Sequence, residues 1–115
     1  MSRTQVELVQ GSLDIIVLKT LSWQPMHGFG IARWIQQTTD DVLQVEEGSL
    51  YPSLYRMENK GWVKSEWRIT ENNRRAKYYR LTATGKRQLT DQSENWETFV
   101  VAMTKILRSS APQSV

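Results

Sequence analysis

Apolar residues recur at helical spacing through the first third of the chain. Ser12 is placed to cap a first helix, because a serine oxygen can accept a hydrogen bond from a free backbone N–H. Pro25 ends this helix, and a second one begins between Gly28 and Gly30, which leaves His27 in a loop. The positions that follow helical spacing are Leu13, Ile16, Val17, Thr20, Leu21, Ile31, Trp34 and Ile35.

The acidic stretch at residues 40–47 predicts a connector, with one short strand at residues 42–45. A third helix follows. Ser49 is predicted to cap it and Pro52 to fall in its first turn, where backbone N–H groups have no helical partner. Gly61 is predicted to end this helix, because glycine readily adopts the left-handed conformation that follows many helix C-termini. Helical spacing predicts a buried stripe that consists of Leu50, Leu54 and Met57.

Residues 62–70 and 75–81 have the composition of strands, and residues 71–74 have turn chemistry, because asparagine tolerates positive φ. Either face of these strands can be made partly apolar, so the pattern leaves their register open. A final helix begins at Thr82 or Thr84 and runs to Arg108, and residues 109–115 form a frayed tail. This order predicts a mainly α protein with a small β hairpin: a winged helix-turn-helix domain at residues 1–82 and a dimerisation helix at residues 83–110.

Composition narrows the class of protein. The 115 residues allow one domain, and 39% hydrophobic and 23% charged residues are ordinary for a globular chain. No apolar run approaches the roughly 18 residues of a membrane helix, and the N-terminus has no signal core, so we expect a cytoplasmic protein. Cysteine is absent and His27 is the single histidine. We therefore expect no metal site, no cofactor and no enzyme activity.

Charge is unevenly distributed along the chain. The whole chain carries a net charge of +3, but residues 49–90 hold ten basic and three acidic side chains, whereas the residues before and after them are net acidic. A basic middle between acidic flanks is typical of a site for a polyanion. An ordinary solvated face is the alternative that charge alone leaves open.

The third helix and the hairpin carry the candidate DNA contacts. Hydroxyl groups and helix N-termini donate to phosphate oxygens, and arginine can pair with guanine. On the helix, Pro52, Tyr55, Arg56 and Asn59 point away from the buried stripe, and Ser49, Tyr51 and Ser53 lie on its flanks. The predicted DNA-binding residues are Ser49, Tyr51, Pro52, Ser53, Tyr55, Arg56, Arg74, Arg75 and Lys77. Half-buried packing of the tyrosines, and a merely solvated hairpin tip, are the structural alternatives.

The last helix predicts self-association. About 25 residues at 1.5 Å per residue extend near 37 Å, which is longer than one small domain can cover. We expect the uncovered part of the helix to pack against a second copy of the chain. The alternative is a helix that packs wholly on its own domain. The predicted interface is Leu89, Trp96, Val100, Met103 and Leu107. Trp96, Val100 and Met103 also suit a small aromatic effector, unless the seam closes as plain dimer core.

Several motifs together resemble the PadR-type family of regulators. They are GSLYPSLYRME at residues 48–58, KGWV at 60–63, RAKYYRLTATG at 75–85, HGFGI at 27–31 and GSL at 11–13. The resemblance covers residues 11–90 almost continuously. It is closest to short members, which have one C-terminal helix in place of a larger C-terminal domain.

The resemblance implies a homodimeric transcriptional regulator, and a repressor by analogy with the phenolic acid decarboxylase repressors that give the family its name. It implies double-stranded operator DNA as the partner, dimerisation through the C-terminal helices, and a tryptophan in that helix, here Trp96, that can line a ligand cavity. The rival hypothesis is a winged-helix module that binds protein and not DNA. The basic middle of the chain argues against that rival.

Overall fold

The computed structural model describes residues 11–113 of the chain. Within this part, four helices surround one small antiparallel sheet, which makes the protein mainly helical with a winged helix-turn-helix architecture. In chain order the elements are α1 (Ser12–Leu21), β1 (Met26–His27), α2 (Gly28–Thr38), α3 (Glu47–Asn59), β2 (Val63–Ile69), β3 (Arg75–Leu81) and α4 (Ala83–Leu107). The predicted domain of residues 1–82 begins outside the described residues, and residues 114–115 of the predicted tail also lie outside them.

The core lies where α1, α2 and α3 meet the inner side of the sheet. It includes the predicted stripe of α3, whose residues Leu50, Leu54 and Met57 are fully buried. The other buried apolar residues are Val17, Leu18, Leu21, Ile31, Ile35, Val63, Tyr79 and Leu81. Burial of this set is the main favourable term that holds the three helices together.

The sheet has three strands in the order β1-β3-β2, and the neighbours are antiparallel. Its β2–β3 hairpin runs in register from Val63 opposite Leu81 to Ile69 opposite Arg75. Asn73 in the turn has a φ of 57°, as its chemistry predicted. The third strand corrects the prediction of a loop at His27, because Met26 and His27 pair with β3.

His27 also begins α2. Its Nδ1 accepts a hydrogen bond of 3.0 Å from the backbone N–H of Gly30 and thereby caps the helix. Its ring contacts Phe29 in a stacked arrangement and Tyr78 edge-on. The histidine therefore has a structural role at the junction between the sheet and α2.

Two helix starts differ from the sequence predictions. Gly11, with a φ of 93°, takes the N-cap position of α1, and Ser12 is the first helical residue. Helix α3 begins at Glu47 with Glu46 as N-cap, so Ser49 lies inside the first turn. Carboxylates are favoured at a helix N-terminus by the helix dipole, which accounts for the extension of α3 back to Glu47.

The earlier start of α3 changes the position of Pro52. Pro52 is the sixth helical residue and not a member of the first turn. Proline has no N–H, so the carbonyl of Gly48 loses its usual partner four residues on. The stop at the other end is as predicted, since Gly61 follows Lys60, the C-cap, with a φ of 77°.

The strand predicted at residues 42–45 is not formed. The hydroxyl of Thr39 donates to the carbonyl of Ile35 at 2.8 Å and accepts from the backbone N–H of Leu43 at 3.0 Å. These bonds hold the connector against the end of α2, and Leu43 and Val45 pack on the core from an irregular backbone. Their alternation with polar residues reflects this packing.

The corner between the hairpin and α4 is rigidly built. The Thr82 hydroxyl donates to the carbonyl of Gly61 at 2.6 Å and accepts from the backbone N–H of Gly85 at 3.0 Å, which caps α4. Gly85 approaches the hairpin so closely that a β-carbon there would overlap the carbonyl oxygen of Trp62. Within residues 11–113, no helix is both long and apolar enough to cross a membrane.

Candidate nucleic-acid interface

Tyr51 packs helix α3 against the start of α2. The ring of Tyr51 lies over Gly28, and a β-carbon at position 28 would overlap its hydroxyl. Tyr51 is nevertheless partly exposed, so the same side chain anchors α3 and reaches solvent. Packing and surface roles, which the sequence offered as alternatives for this tyrosine, are combined.

The N-terminal half of α3 is also anchored by α1. The buried carboxylate of Asp14 accepts hydrogen bonds from the Ser53 hydroxyl at 2.8 Å and from Arg56 Nη2 at 2.5 Å. Ser53 is only 2% exposed, so it lies in the core and not on an accessible flank of the helix. Arg56 remains half exposed, with one side of its guanidinium held and the other open to solvent.

The remaining candidates on α3 form its solvent surface. Ser49, Pro52 and Asn59 are exposed, and Tyr55 is 69% exposed. This surface offers hydroxyl donors, an amide and the open edge of Arg56. Such groups hydrogen bond to phosphates and to base edges.

Glu58 connects α3 to the hairpin. Its carboxylate accepts a hydrogen bond of 2.5 Å from the Ser65 hydroxyl on β2, and it lies 3.9 Å from Lys77 Nζ on β3. Side chains alternate between the faces of a strand, so Ser65 and Lys77 mark the face of the hairpin that looks toward α3. The exposed surface of the helix and this face of the hairpin are therefore held as one unit.

Lys77 and three further side chains define the hairpin face beyond α3. The β2–β3 register places Trp67 opposite Lys77 and Ile69 opposite Arg75, all on the face marked by Ser65. The Arg75 guanidinium carbon lies 4.6 Å from the centre of the Trp67 ring. We call these four residues, Trp67, Ile69, Arg75 and Lys77, the wing face. Arg74 is exposed in the turn next to it.

Tyr79 lies at the inner end of the wing face, beside Lys77. Burial raises the pKa of Tyr79 above its ordinary value of 10.0, and the nearby Glu58 carboxylate and Tyr51 raise it further. The Lys77 ammonium lies 6.0 Å from the centre of the Tyr79 ring. This tyrosine therefore stays neutral and forms part of the packing between α3 and the sheet.

The candidate residues of α4 fall into two groups. Leu89 packs against the core of its own domain, whereas Trp96, Val100, Met103 and Leu107 are exposed along the outer part of the helix. Phe99 and Ile106 widen this exposed strip, and the Trp96 and Phe99 rings lie 5.9 Å apart. The result is a contiguous apolar face on a helix that extends past the domain.

Trp96 also borders a hollow of about 330 Å³ between α1 and α4. Ile15, Gln92 and Phe99 are among its other walls. Val100 and Met103 are not among its walls, so this hollow contains only Trp96 of the three candidate effector residues, although all three share the exposed face of α4. In residues 11–113 no group of three or more His, Asp or Glu side chains is arranged to hold a metal ion.

Comparison with known sequences decides the family. Residues 17–91, which include α3 and the whole hairpin, match the transcriptional regulator PadR-like family. The chain belongs to this family. The match confirms the resemblance that the motifs of α3 and β3 predicted.

Solved structures of PadR-like and related regulators share the fold. A transcriptional regulator from Clostridium thermocellum is 29% identical, with a TM-score of 0.79 over 86% of this chain and 96% of that one. A PadR family transcription regulator from Clostridium difficile R20291 is 29% identical, with a TM-score of 0.73 over 84% of this chain and 99% of the other. An uncharacterized protein from Lysinibacillus sphaericus is 28% identical over 90 residues, which are 78% of this chain and 83% of that protein.

Sequence reasoning missed two residues that position the candidate interface of this PadR-like protein: Asp14 and Glu58. A lone carboxylate among the apolar residues of α1 was a readable signal for Asp14, because an unpaired charge is rarely placed on a core-facing side. Glu58 carried no local signal, because its partners are set by the hairpin register, which the pattern left open.

Proposed function

We propose that the protein is a transcriptional repressor that binds a near-palindromic DNA operator as a homodimer, in the cytoplasm where such DNA is found. The observation that carries this proposal is the Glu58 bridge, which holds the exposed surface of α3 and the basic wing face in one fixed relation. A donor-rich helix beside a basic hairpin suits the two adjacent grooves of a DNA duplex.

The contacts divide by chemistry. Ser49, Tyr51, Pro52, Tyr55 and Arg56 of α3 face the major groove, and the open edge of Arg56 is the base reader among them. Arg74, Arg75 and Lys77 neutralise phosphates beside the adjacent groove. Ser53 is left out of the contact set, because its hydroxyl is buried and donates to Asp14.

Dimerisation would cover the outer part of α4. The apolar strip of Trp96, Val100, Met103 and Leu107 is exposed on the outer part of α4, and the same strip of a second copy would bury it. Two copies would present two α3 helices to two half-sites. A dimer on an operator represses by occupying DNA that the transcription machinery needs.

Trp96, Val100 and Met103 are the proposed effector site, completed by the second copy. A flat aromatic molecule stacks on indole, and methionine adapts to varied shapes. It would regulate by binding one spacing of the two α3 helices better than another, because equal affinity for both shifts nothing. Quenching of tryptophan fluorescence by phenolic acids or flat aromatic cations, lost in Trp96→Phe, tests this site.

DNA binding is tested by a mobility-shift titration of the protein's own promoter fragment against random DNA at two salt concentrations. Tighter binding to the promoter at both concentrations is expected. Equal failure on both DNAs would overturn the proposal and favour the protein-binding module. An in vitro transcription assay on the same fragment checks repression.

Self-association is tested by sedimentation at micromolar concentration, where twice the chain mass of 13.4 kDa is expected. Trp96→Glu should shift the protein toward monomer, because it places a charge on apolar surface that the dimer would bury. Thr98→Glu is the matched control, since it adds the same charge on the opposite side of α4. A monomer at that concentration in the unmodified protein would overturn the dimer.

A further inference from the structure

The wing face contains more apolar surface than a solvated hairpin needs. Trp67 is 57% exposed and Ile69 is 64% exposed, although both lie on the face that turns toward α3. Farther along the same face, toward the base of the hairpin, Val63 and Tyr79 are buried in the core. The exposed pair therefore continues the inner side of the sheet outward, beyond the reach of the helix.

Charge borders this apolar pair on one side. Arg75 and Lys77, on the neighbouring strand, stand directly opposite Ile69 and Trp67 in the register. Arg75 lies over the Trp67 ring, and Lys77 is held toward α3 by Glu58. A complementary surface must then present anionic groups beside apolar ones, at a spacing of a few ångströms.

One strand of a DNA duplex has this composition, because charged phosphates alternate with deoxyribose groups whose carbon faces are apolar. If α3 enters the major groove and the hairpin reaches the adjacent minor groove, the strand that separates the two grooves passes between them. The wing face is the surface of the hairpin that faces this DNA strand.

We infer that Trp67 and Ile69 pack against deoxyribose groups of this strand, while Arg75 neutralises a phosphate next to them. This inference rests on the proposed DNA-binding function and extends it to two residues without charge. Contacts of this kind carry no base preference, because every nucleotide has the same sugar. They strengthen binding to operator and random DNA alike.

The contact between Arg75 and Trp67 offers a second explanation, in which Trp67 is only a platform that orients the arginine. The two explanations differ in salt dependence. Loss of a sugar contact leaves the number of neutralised phosphates unchanged, so the slope of log K against log salt stays the same. Loss of a platform weakens the arginine contact and flattens that slope.

The test measures affinity for operator and random DNA across a salt series. Trp67→Ala should weaken both by about tenfold, which is the scale expected for about 50 Å² of apolar surface, at an unchanged salt slope. Trp67→Phe should retain most of the affinity. In an Arg75→Ala background, Trp67→Ala should still produce a further loss. Hydroxyl-radical footprinting should show that protected sugars become accessible in Trp67→Ala.

Trp23→Ala is the matched control. Trp23 is 62% exposed and has the Lys19 ammonium 4.4 Å from its ring centre, so it reproduces an exposed tryptophan under a cation. It precedes β1, and the β1–β3 register carries the residues before Met26 toward Arg80, away from the hairpin tip. No change in DNA affinity is expected for Trp23→Ala.

Ile69→Ser provides an independent variant at an exposed position and should weaken binding in the same sense. The inference is overturned if Trp67→Ala and Ile69→Ser bind DNA as well as Trp23→Ala does, or if the loss disappears in the Arg75→Ala background. Failure of the unmodified protein to bind any DNA is a different result, since it contradicts the proposed function itself.

Discussion

The ring of Tyr51 rests on Gly28, where a β-carbon would lie 2.7 Å from the Cζ atom of the ring. This contact joins the first turn of α2 to the first half of α3. A side chain at residue 28 would force the Tyr51 ring out of this contact. The start of α2 therefore helps to position the proposed recognition surface of α3.

Gly28→Ala should destabilise the protein and displace Tyr51. Overpacking of this kind costs about 1–3 kcal/mol in the free energy of unfolding, which thermal or urea denaturation measures. Tyr51→Ala in the same chain should recover part of the loss by removing the ring. Gly48→Ala is the control: it meets nothing within 4 Å and lies in a helix, where alanine is favoured by about 0.5–1 kcal/mol.

The Asp14 anchor predicts a second stability effect. Asp14→Ala leaves the buried Ser53 hydroxyl without its acceptor, and an unsatisfied buried group costs about 1–3 kcal/mol. Asp14→Asn keeps an acceptor and should cost less. Glu66→Ala, which removes the surface pair with Arg68, should change stability by at most about 1 kcal/mol. A small effect for Asp14→Ala would show that the anchor is dispensable.

Glu58 should restrain DNA binding through charge. Glu58→Gln frees Lys77 from its ion pair while it keeps an acceptor for Ser65. Affinity for any DNA should rise, and the salt slope should steepen by up to about 0.9 units. Arg75→Ala should flatten the slope by about the same amount. Glu66→Gln, on the opposite face of the hairpin, should leave the slope nearer that of the unmodified protein.

Tyr79 predicts a loss of stability at alkaline pH. Its pKa in the folded protein is raised above 10.0, chiefly by burial and then by Glu58. The unfolded chain therefore releases this proton at lower pH than the folded chain, and stability falls as pH rises from about 10 toward the raised pKa. Tyr79→Phe should remove this component. Denaturation curves of both proteins, recorded from about pH 8 to pH 11, compare the two slopes.

The elements that the sequence predicted correctly have local causes. Gly61 and Asn73 take positive φ because their residue types tolerate it. Helix α4 begins at Ala83, between the two predicted starts, with Thr82 as its N-cap. The stripe of α3 follows from spacing alone. These features depend on residues a few positions apart, which is the range over which a pattern is informative.

The features that escaped prediction depend on distant partners. Ser53 is separated from Asp14 by 39 positions, so spacing within α3 could not show that the serine turns inward. The wing face required the hairpin register, which the alternation of side chains left undecided. Strand β1 has only two residues, which are too few to show any periodicity. It forms because it pairs with the free edge of β3.

The corner at Thr82 gives α4 the mechanics of a lever. The helix has 25 residues and so extends about 37 Å from a pivot that Gly85 and the Trp62 carbonyl hold tightly. A tilt of about 5° at this pivot moves the far end by about 3 Å, by the geometry of a rigid rod of that length. A small tilt at this pivot is therefore multiplied into a larger displacement at the tip of α4. Conversely, a force applied at the tip acts on the hairpin through a long lever arm.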